Sequence, residues 1–561
     1  TLDAVNLCEM TRNDRHTVRA LFLLGANDGV LPAAENRGGV LRDEDRAALE
    51  QHEIFLAPHG MEQFHLEIQN LYAALAQPTE KLTVSYPISD GKGAEKRPSF
   101  VIGRIARLLP SISVETENAD KEYRLSARTT ALEYAGEQIG GALWQYFEKQ
   151  GDARSALEAM RAASHYTRGR LSPGAVRALY GDAVTLSASR MDEARSCHFA
   201  YFMRYGLRAK ERTGAGFDAP QIGTFVHDVM ENTLRAAKER GGLHALSEEA
   251  LHELVRASIE AYIDRVLPDL NEKSARFQYL FRRLCAAVDR IMDEVSEELK
   301  SSDFEPLAFE LAFGADGQLP AITIREKNGT ARVVGKVDRV DGWLHNGKLY
   351  LRVVDYKTGK KSFDLAELRY GLGLQMLLYL FTLKEEGRAL FGGQEIVPAG
   401  VLYTPAREPM LRCARDTEPE KIEKALKKEL RRSGMVLEDP AVLQAMEHSA
   451  LTSPCYLPIA VKKDGAVTGS LASAEQLGKL SKYVDRLLHE ITQEVFAGNI
   501  DADPYARTPQ LSACTYCEFA SACHFENGCG SDRMEYIKAT KNDEFWQHID
   551  EVNGKEARSD G

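Results

Sequence analysis

The sequence predicts an α/β protein that is built from more than one domain. Apolar runs with β-branched residues, which are typical of strands, occur at 334–341 and 348–357, and a further apolar run occurs at 19–24. Longer stretches with the periodicity of amphipathic helices occur at 222–240, 246–300 and 474–497. A chain of 561 residues exceeds one ordinary hydrophobic core, and length alone indicates about three or four domains.

The first third of the chain predicts part of an α/β domain and a connection. A buried strand and a Gly-rich turn are expected over 19–34, a helix over 62–77 and a strand over 81–86. We therefore predict that residues 1–110 belong to a larger α/β domain. A polar segment followed by helical periodicity predicts a helical connection over 111–183.

The remainder predicts a second α/β domain over 184–540. Within it, 304–356 is expected to consist mostly of strands, 364–386 to form one helix and 398–403 to form a strand. Residues 541–561 are polar, and we expect a loose tail there.

Composition excludes a membrane protein and argues against a general nucleic-acid binder. Hydrophobic residues make up 44% and charged residues 27% of the chain, which are ordinary values for globular domains. The best apolar run, 372–383, is too short to cross a bilayer. The net charge is −12, although a local basic channel is sufficient to bind DNA. We expect a cytoplasmic protein without a membrane partner. Because the chain starts at Thr1 and shows no signal peptide, we expect a fragment of a longer polypeptide or a processed chain.

The most informative feature is the pattern D-(x16)-D-x-K formed by Asp338, Asp355 and Lys357. Both flanking runs predict strands, and His345-Asn-Gly347 between them predicts the turn of an antiparallel hairpin. Residues two apart in a strand share a face, so Asp355 and Lys357 point the same way. The neighbouring strand brings Asp338 beside them.

Two adjacent carboxylates and a lysine are the side chains that a metal-dependent nuclease needs. The carboxylates repel each other unless a hard cation such as Mg²⁺ neutralises them, and Mg²⁺ takes carboxylate, water and phosphate oxygens as ligands. The alternative is a solvated hairpin with surface charges. Because Asp338 and Asp355 lie among valines, where an unpaired charge is costly, the metal site is favoured.

The second chemical signal is the cysteine group Cys514-Thr-Tyr-Cys517-(x5)-Cys523. Three thiols within ten residues converge on one metal centre, and a fourth ligand must come from elsewhere. The candidates for it are Cys197, Cys529 and His524. On spacing alone, a structural zinc site closed by Cys529 or His524 is favoured.

These motifs resemble those of the RecB-type nucleases of the PD-(D/E)xK superfamily, whose fold is a mixed central sheet with flanking helices. The resemblance rests on Asp338, Asp355 and Lys357 together with Gln375 and Tyr379 downstream. It implies catalytic roles for the first three residues and for Gln375, metal binding through Asp338, Asp355 and the Tyr356 carbonyl, and a DNA-positioning role for Tyr379. The basic residues Lys360 and Lys361 beside the site are expected to contact DNA.

Two further positions follow from the same resemblance. Gly223-Thr-Phe-Val-His227 resembles the family's G-x-x-x-H motif and makes His227 a metal ligand. The stretch around Glu310 resembles an acidic motif that holds a second metal or a water. Taken alone, His227 and Gln375 are also compatible with ordinary buried residues, and Glu310 with a surface strand residue.

The cysteines resemble those of the iron–sulfur branch of this family, in which one cysteine precedes the nuclease core and three follow it. The resemblance places a 4Fe-4S cluster on Cys197, Cys514, Cys517 and Cys523 and leaves Cys529 spare. His198 departs from the family pattern, which has proline after the first cysteine. We expect the cluster to be structural, because it joins the start and the end of the nuclease domain.

The N-terminal segment resembles the late motifs of UvrD-like superfamily-one helicases. This resemblance covers 18–32 and 71–82, and Gln77 stands where the arginine that reaches the γ-phosphate is expected. A neutral amide cannot offset phosphate charge as arginine does, so no helicase motor activity is expected from this chain. A degenerate helicase fold followed by an iron–sulfur nuclease is similar to the B-type subunits of the bacterial AddAB family of helicase–nucleases.

The resemblance implies an Mg²⁺-dependent DNA exonuclease that resects the 5′-terminated strand at double-strand ends for recombinational repair. It implies an AddA-type helicase–nuclease subunit as partner, with DNA ends and single strands as substrates. Two alternatives stay open: a stand-alone iron–sulfur nuclease of the CRISPR-associated type, and a non-catalytic DNA-binding scaffold subunit.

Overall fold

The chain forms two compact units, 1–161 and 162–561. The computed structural model describes residues 5–10, 17–33, 41, 43–57, 60–89, 95–116, 124–151, 153–165, 167–210, 219–314, 317–409, 411–414, 417–508 and 510–559. Residues 117–123 of the predicted connection and residues 560 and 561 of the predicted tail lie outside these ranges. The division after residue 161 coincides with neither predicted boundary, 110/111 or 183/184.

The first unit is mainly helical around one pair of strands. Its elements are β1 (Val18–Leu23), α1 (Asp43–Gln51), α2 (Gly60–Leu75), β2 (Pro78–Val84), α3 (Phe100–Leu108), α4 (Arg128–Gly136), α5 (Ala142–Gln150) and α6 (Arg154–Ser164), which ends just beyond residue 161. Strands β1 and β2 pair in parallel. The predicted helix over 62–77 and the strands at 19–24 and 81–86 are therefore present, with shifts of a few residues.

Two small cores hold this unit together. One lies beside the parallel pair and contains Ala26, Leu31, Leu71 and Val101. The other joins α4, α5 and α6 through buried side chains that include Trp144, Phe147 and Leu157.

The second unit contains most of the strands and the long helices. Its first elements are α7 (Pro173–Tyr180), β3 (Ala183–Leu186), α8 (Ala188–Ser196), α9 (His198–Tyr201) with a π-helical turn at Phe202–Gly206, α10 (Ala219–Glu239), α11 (Glu248–Val266) and α12 (Ala275–Lys300). The middle elements are β4 (Glu305–Phe313), β5 (Ile322–Glu326), β6 (Gly329–Val333), β7 (Gly335–His345), β8 (Lys348–Lys357), α13 (Leu365–Arg369), α14 (Gln375–Glu386) and β9 (Glu395–Pro405). The last elements are α15 (Pro419–Glu429), β10 (Ser433–Leu437), α16 (Pro440–Met446), β11 (Ile459–Val461), β12 (Val467–Gly469), β13 (Leu471–Ala472), α17 (Ala474–Phe496), β14 (Tyr505–Thr508), β15 (Leu511–Ser512), α18 (Ala520–Cys523), β16 (Glu535–Tyr536) and α19 (Asn542–Ser559).

A six-stranded mixed sheet is the centre of this unit, in the order β13-β10-β9-β8-β7-β4. Strand β8 pairs antiparallel with β7 and parallel with β9. A smaller sheet has the order β3-β6-β5. The middle residues of the central strands β7, β8 and β9 are buried, which accounts for the apolar runs of β8 and β9. The predicted mixed sheet with flanking helices is confirmed.

The hairpin between β7 and β8 fixes the register of the predicted site. His345 pairs with Lys348 across a two-residue turn, and Asn346 and Gly347 adopt positive φ angles of 51° and 76°. This is the tight turn that Asn-Gly favours, because its twist matches that of the strands. The register continues to the pair Arg339 and Val354, so the next position along places Asp338 opposite Asp355.

Helices cover the sheet through strongly apolar faces. Every residue of α14 from Met376 to Leu383 is buried, and α17 buries the stripe that was predicted for 474–497. Ser473 and Gln476 form a capping box at the start of α17, which satisfies backbone N–H groups that the helix leaves free.

Two predictions about helices are wrong. The single helix expected over 364–386 is instead α13 and α14, because Gly371 and Gly373 between them take positive φ angles of 80° and 68°. The loose tail expected over 541–561 is instead α19, whose Phe545 and Ile549 are fully buried in the main core. No helix among the described residues is both long and apolar enough to span a membrane.

Candidate functional site

Four elements of the second unit bring the predicted acidic residues together. Strand β7 carries Asp338, β8 carries Asp355 and Lys357, β4 carries Glu310, and α10 carries His227. Ligand atoms of His227, Glu310 and Asp338 all lie within 4.8 Å of one another. The three residues are partly buried, as expected for a site that holds a cation below the surface.

His227 contacts both the Asp338 side chain on β7 and the backbone of β8. Its Nδ1 lies 3.4 Å from Asp338 Oδ2, and its Nε2 lies 3.0 Å from the Tyr356 carbonyl oxygen, to which it donates. Burial alone would lower the pKa of His227, but the Asp338 carboxylate and the Tyr356 carbonyl outweigh it, and the pKa is raised above the ordinary value. The Tyr356 backbone N–H in turn donates to Asp338 Oδ2 at 2.8 Å, which fixes the carboxylate between the helix and the strand.

Asp355 is the most perturbed acid of the group. Burial and then the nearby Asp338 carboxylate raise its pKa to about 6, although Lys357 and His227 act in the opposite direction. Lys357 Nζ lies 2.5 Å from Asp355 Oδ2 and 5.7 Å from the centre of the Tyr403 ring. Two close carboxylates, of which Asp355 is buried with a raised pKa, are an arrangement that a divalent cation would stabilise. The residues therefore fit a metal ion.

Glu310 completes the acidic group from the edge strand. It lies between the paired positions Phe309–Arg339 and Leu311–Val337, and its φ of 50° is unusual for a residue with a side chain. Its carboxylate forms an ion pair with Lys336, while burial raises its pKa. Strained backbone of this kind concentrates at functional sites, which agrees with a role for Glu310 beyond that of a surface residue.

Gln375 and Tyr379 lie one turn apart on α14, next to the acidic group. Gln375 Nε2 donates to the Tyr379 hydroxyl at 3.3 Å, and the Lys336 backbone N–H donates to the same hydroxyl at 3.4 Å. Tyr379 is only 3% exposed and packs edge-on against Phe313. The hydroxyl thereby joins Gln375 to the start of β7, and the ring is too buried to stack on a base. The predicted DNA-positioning role of Tyr379 stays a prediction.

Sequence reasoning missed a buried ionic cluster behind the acidic group. Arg339 and Arg352 are fully buried, and each lies 2.8 Å from a carboxylate oxygen of Asp341. Arg339 also donates to the Tyr356 hydroxyl at 2.7 Å. The pattern of opposite charges two residues apart at 339 and 341, among valines, was the available signal, because such residues share a strand face.

The cluster continues from the sheet to α12. Glu298 lies 2.6 Å from Arg432 and 3.7 Å from Arg352. Burial alone would raise the pKa of Glu298, but the arginines Arg432, Arg352 and Arg339 outweigh it and lower the pKa to about 2. These ion pairs link β8, which carries Arg352 and Tyr356, to α12 and to the residue that precedes β10.

A basic cavity of about 200 Å³ opens beside Lys357. Its basic lining residues are Lys357, Lys360, Lys361, Arg407, Lys428 and Arg431. Lys360 and Lys361 are exposed, and the Lys361 ammonium lies 3.7 Å from Glu367. The predicted DNA-contacting lysines therefore surround the same opening as the predicted catalytic lysine.

The four cysteines assigned by resemblance line one cavity of about 490 Å³, together with His524. Cys197, at the junction of α8 and α9, is buried, whereas Cys529 is exposed. Burial raises the pKa of Cys197 to about 12 and that of Cys514 to about 11, the latter helped by Cys517 and Cys523. Thiolates this buried need a positive centre to be stable, so the cavity fits a metal or an iron–sulfur group.

A buried arginine supports the cysteine segment. Arg168 makes two contacts of 2.7 Å with the carboxylate of Asp532 and donates to the Cys523 carbonyl at 2.8 Å. Its guanidinium lies 4.5 Å from the centre of the Phe199 ring, two residues after Cys197. These contacts of Arg168 join the start of the second unit to its end, next to the cysteine cavity.

A scan against family models gives a match to the PD-(D/E)XK nuclease superfamily over residues 185–524. The chain belongs to this superfamily. The match spans the mixed sheet, the acidic group and the four cysteines, and it confirms the predicted fold class. The second unit is thus a metal-dependent nuclease domain.

Several relatives extend the similarity over the rest of the chain. A protein of Thermoanaerobacter sp. (strain X514), named as the B-type subunit of an ATP-dependent helicase/deoxyribonuclease, is 32% identical over 584 aligned residues, which cover 100% of this chain and 50% of the relative. Proteins of the same name from Acetivibrio thermocellus and Clostridium perfringens (strain 13 / Type A) are 33% and 31% identical, covering 97% and 100% of this chain and 50% of each relative. The chain therefore spans about half the length of the relatives that it matches.

Proposed function

We propose that this chain is the nuclease-bearing part of a DNA exonuclease subunit that uses Mg²⁺ and trims the 5′-terminated strand at double-strand ends. The observation that carries the proposal is the convergence of His227, Glu310 and Asp338 within 4.8 Å, beside Asp355 and Lys357 in contact with each other. Nothing in an ordinary sheet surface requires three acids, an imidazole and a lysine to meet in this way.

The metal would be held by Asp338, Asp355, His227 and the Tyr356 carbonyl, with Glu310 at a second position or on a water. When bound, a divalent metal ion polarises the scissile phosphate and lowers the pKa of a water. His227 binds as the neutral imidazole, and its Nδ1, which faces Asp338, is the nitrogen that would bind while Nε2 donates to the Tyr356 carbonyl. Because Asp355 has a pKa of about 6, it is ionised and ready to bind at neutral pH.

Lys357 acts on the substrate side of the site. Its ammonium lies beside Asp355 and at the mouth of the basic cavity, where it orients the attacking water and offsets charge that develops on the phosphate. Lys360 and Lys361 line the same cavity and bind phosphates on either side of the scissile bond. Gln375, held by the Tyr379 hydroxyl, positions the water or the metal-bound groups.

The cysteine cavity would hold a 4Fe-4S cluster on Cys197, Cys514, Cys517 and Cys523. Thiolates on one tetrahedral zinc, about 2.3 Å from the metal, lie roughly 3.8 Å apart. Among the residues that the structure describes, no three cysteine sulfurs lie within 4.8 Å of one another. This wider spacing favours a multi-iron centre over zinc. The cluster has a structural role, because it joins segments more than 300 residues apart.

The wider assignment rests on the similarity to the B-type subunits of helicase/deoxyribonucleases. We propose that a cytoplasmic AddA-type partner supplies ATP-driven unwinding, since Gln77 stands at the predicted arginine position in the N-terminal, helicase-like unit. That unit would contact DNA without acting as a motor. The nuclease would then act on DNA that the partner delivers, in recombinational repair.

Comparison of the wild-type protein with Asp355→Asn tests the catalytic proposal. The variant should lose at least about 1000-fold of its Mg²⁺-dependent degradation of single-stranded DNA, which corresponds to about 4 kcal/mol of transition-state stabilisation. Glu385→Gln, an exposed acid on α14, is the matched control and should retain full activity. Equal activity in the wild type and Asp355→Asn would refute the site, and activity in neither would favour a non-catalytic scaffold.

A further inference from the structure

The second unit contains a large cavity that shares no lining residue with the acidic group or with the basic cavity beside Lys357. It has a volume of about 1010 Å³ and lies between the end of α7, strand β3 and the segment that follows Cys197. Its chemistry is defined by three tyrosines and by basic residues: Tyr180, Tyr201, Tyr205, Arg190, Arg208 and Lys210.

The tyrosines form a continuous aromatic wall. The ring centres of Tyr180 and Tyr201 are 5.9 Å apart, and those of Tyr201 and Tyr205 are 5.1 Å apart. The Arg190 guanidinium extends the wall, 4.9 Å from the centre of the Tyr205 ring. Tyrosine rings and arginine planes are the surfaces on which proteins stack unpaired bases.

The charge of the cavity is strongly positive. Four basic side chains and a single acid, Glu518, are among its lining residues. Arg204 is neutralised by Glu518 at 2.7 Å and by Glu193 at 3.2 Å. Within the described part of the chain, Arg190, Arg208 and Lys210 form no ion pair, and Arg208 and Lys210 are exposed. These side chains are therefore free to bind an anion.

Tyr201 forms the inner part of the wall. It is only 4% exposed, and its hydroxyl is enclosed by protein. Tyr180 and Tyr205 are partly exposed, so they are the rings that a ligand can reach. The ligand that fits this lining is planar and anionic.

We propose that this cavity binds a short stretch of single-stranded DNA, with bases on Tyr180 and Tyr205 and phosphates at Arg208 and Lys210. The volume reaches the upper end of the range for ligand pockets, and a base has to leave the duplex to stack on a protein ring. The proposal rests on the proposed function only in that the chain handles DNA. It adds a second holding point for the strand, apart from the place of cleavage.

Binding in the presence of a chelator tests this site without cleavage. Fluorescence anisotropy of a labelled oligothymidylate should show at least about fivefold weaker binding for Tyr205→Ala. The double variant Arg208→Gln/Lys210→Gln should reduce the slope of log affinity against log salt by about 1.4, because each phosphate contact to a single strand contributes about 0.7.

The matched control is Arg325→Gln/Lys327→Gln, which removes the same charge from exposed positions at the β5 end of the small sheet. It should leave the salt slope unchanged. An equal fall in slope for both double variants would overturn the proposal, because binding would then follow net charge. No fall in either would overturn it as well.

Competition separates a strand from a free nucleotide. Thymidine monophosphate should displace the oligonucleotide only at concentrations at least about tenfold higher than an unlabelled oligothymidylate, because it offers one base and one phosphate. Equal potency would assign the cavity to a free nucleotide and overturn the proposal. Photo-crosslinking of a 4-thiothymidine oligonucleotide should label peptides within 180–210, and labelling confined to other segments would contradict it.

Two variants keep this proposal distinguishable from the nuclease assignment. Introduced into Asp355→Asn, the change Arg208→Gln/Lys210→Gln should reduce the salt slope as it does in the wild type, since Asp355 lies outside the cavity lining. Arg208→Gln/Lys210→Gln should hydrolyse a small phosphodiester with Mg²⁺ at the wild-type rate. If the wild type fails to hydrolyse DNA but the binding results hold, the catalytic proposal is wrong and the strand site stands.

Discussion

The acidic group and the cysteine cavity are both metal-binding candidates, but they are assembled in opposite ways. Asp338, Asp355 and Lys357 lie on two hydrogen-bonded neighbours in the centre of a sheet. The cysteines lie on loops and one-turn helices at the two ends of the domain, with Cys197 more than 300 residues before Cys514. The first site inherits its geometry from backbone pairing, whereas the second depends on long-range contacts.

The two sites therefore differ in which interactions stabilise their geometry. The acidic group lowers the stability of the folded state, since two carboxylates lie close together below the surface and the pKa of Asp355 is raised. The sheet tolerates this because the ionic cluster and the strand hydrogen bonds hold β7 and β8 in place. The cysteine cavity has little backbone pairing of its own, so removal of its ligands should affect folding before it affects chemistry.

After Asp355→Asn, the largest expected effect is on catalysis, from Lys357→Met. Loss of the ammonium should lower the rate of Mg²⁺-dependent cleavage by about 100- to 1000-fold, because charge on the phosphate is no longer offset. The melting temperature should change little, since Lys357 is partly exposed and the sheet does not need it. If the activity of Lys357→Met fell only in proportion to the fraction of folded protein, the role of Lys357 would be structural and the prediction would be wrong.

The next largest effect is on stability, from Glu298→Gln. Breaking the buried pair with Arg432 should cost about 3–5 kcal/mol of unfolding free energy, measured by urea denaturation at neutral pH. Because the folded pKa of Glu298 is lowered from 4.5 to about 2, its contribution is complete above pH 4.5 and is lost as the pH falls towards 2.

The difference between wild type and Glu298→Gln should therefore shrink on acidification. Its exposed neighbour Glu297 provides the control, and Glu297→Gln should leave stability unchanged at all pH values. A constant difference between wild type and Glu298→Gln from neutral pH down to pH 2 would refute the assigned linkage.

Cys514→Ser should cost about 2–5 kcal/mol of stability, by analogy with the loss of a cross-link that closes a long loop. Visible absorbance and bound iron should disappear together, while cleavage of short single strands by the remaining folded protein should change little. Cys413→Ser, at an exposed position, is the control. A colourless wild-type protein with stoichiometric zinc would eliminate the iron–sulfur assignment.

The smallest expected effect comes from Tyr379→Phe. The hydroxyl joins Gln375 to the Lys336 backbone, and one neutral hydrogen bond is worth about 0.5–1.5 kcal/mol. Turnover should fall about three- to tenfold with unchanged affinity for DNA, measured by anisotropy. Tyr516→Phe, at a ring that is 96% exposed, should have no effect on turnover. Weaker DNA binding by Tyr379→Phe would indicate that Tyr379 contacts DNA directly, which the burial of its ring argues against.

The sequence predicted the acidic group because its information is local. Strand periodicity, the Asn346-Gly347 turn and the fixed register together determine that Asp338 and Asp355 meet, and no distant contact is needed. His227 and Glu310 could be placed only by family resemblance, since nothing in a helix or an edge strand indicates which sheet position it faces.

The failures have equally specific causes. Two glycines with positive φ divided the helix expected over 364–386, and their effect is hidden in an apolar pattern that continues across the break. The helix at the C-terminal end buries Phe545, Trp546 and Ile549, and a few apolar residues among many polar ones give too weak a periodicity. The pairing of Glu298 with Arg432 joins elements 134 positions apart, so no sequence window contains it.

The placement of the cysteine ligands along the chain also sets an order of events during synthesis. A ribosome that adds roughly 5–20 residues per second needs roughly 15–65 s to pass from residue 197 to residue 523. Until then Cys197 lacks the other three ligands, so a group held by all four cysteines has to be inserted after residue 523 has been made. Loading of the cavity would thus report that translation had passed residue 523, and a chain terminated before that point could not hold the group.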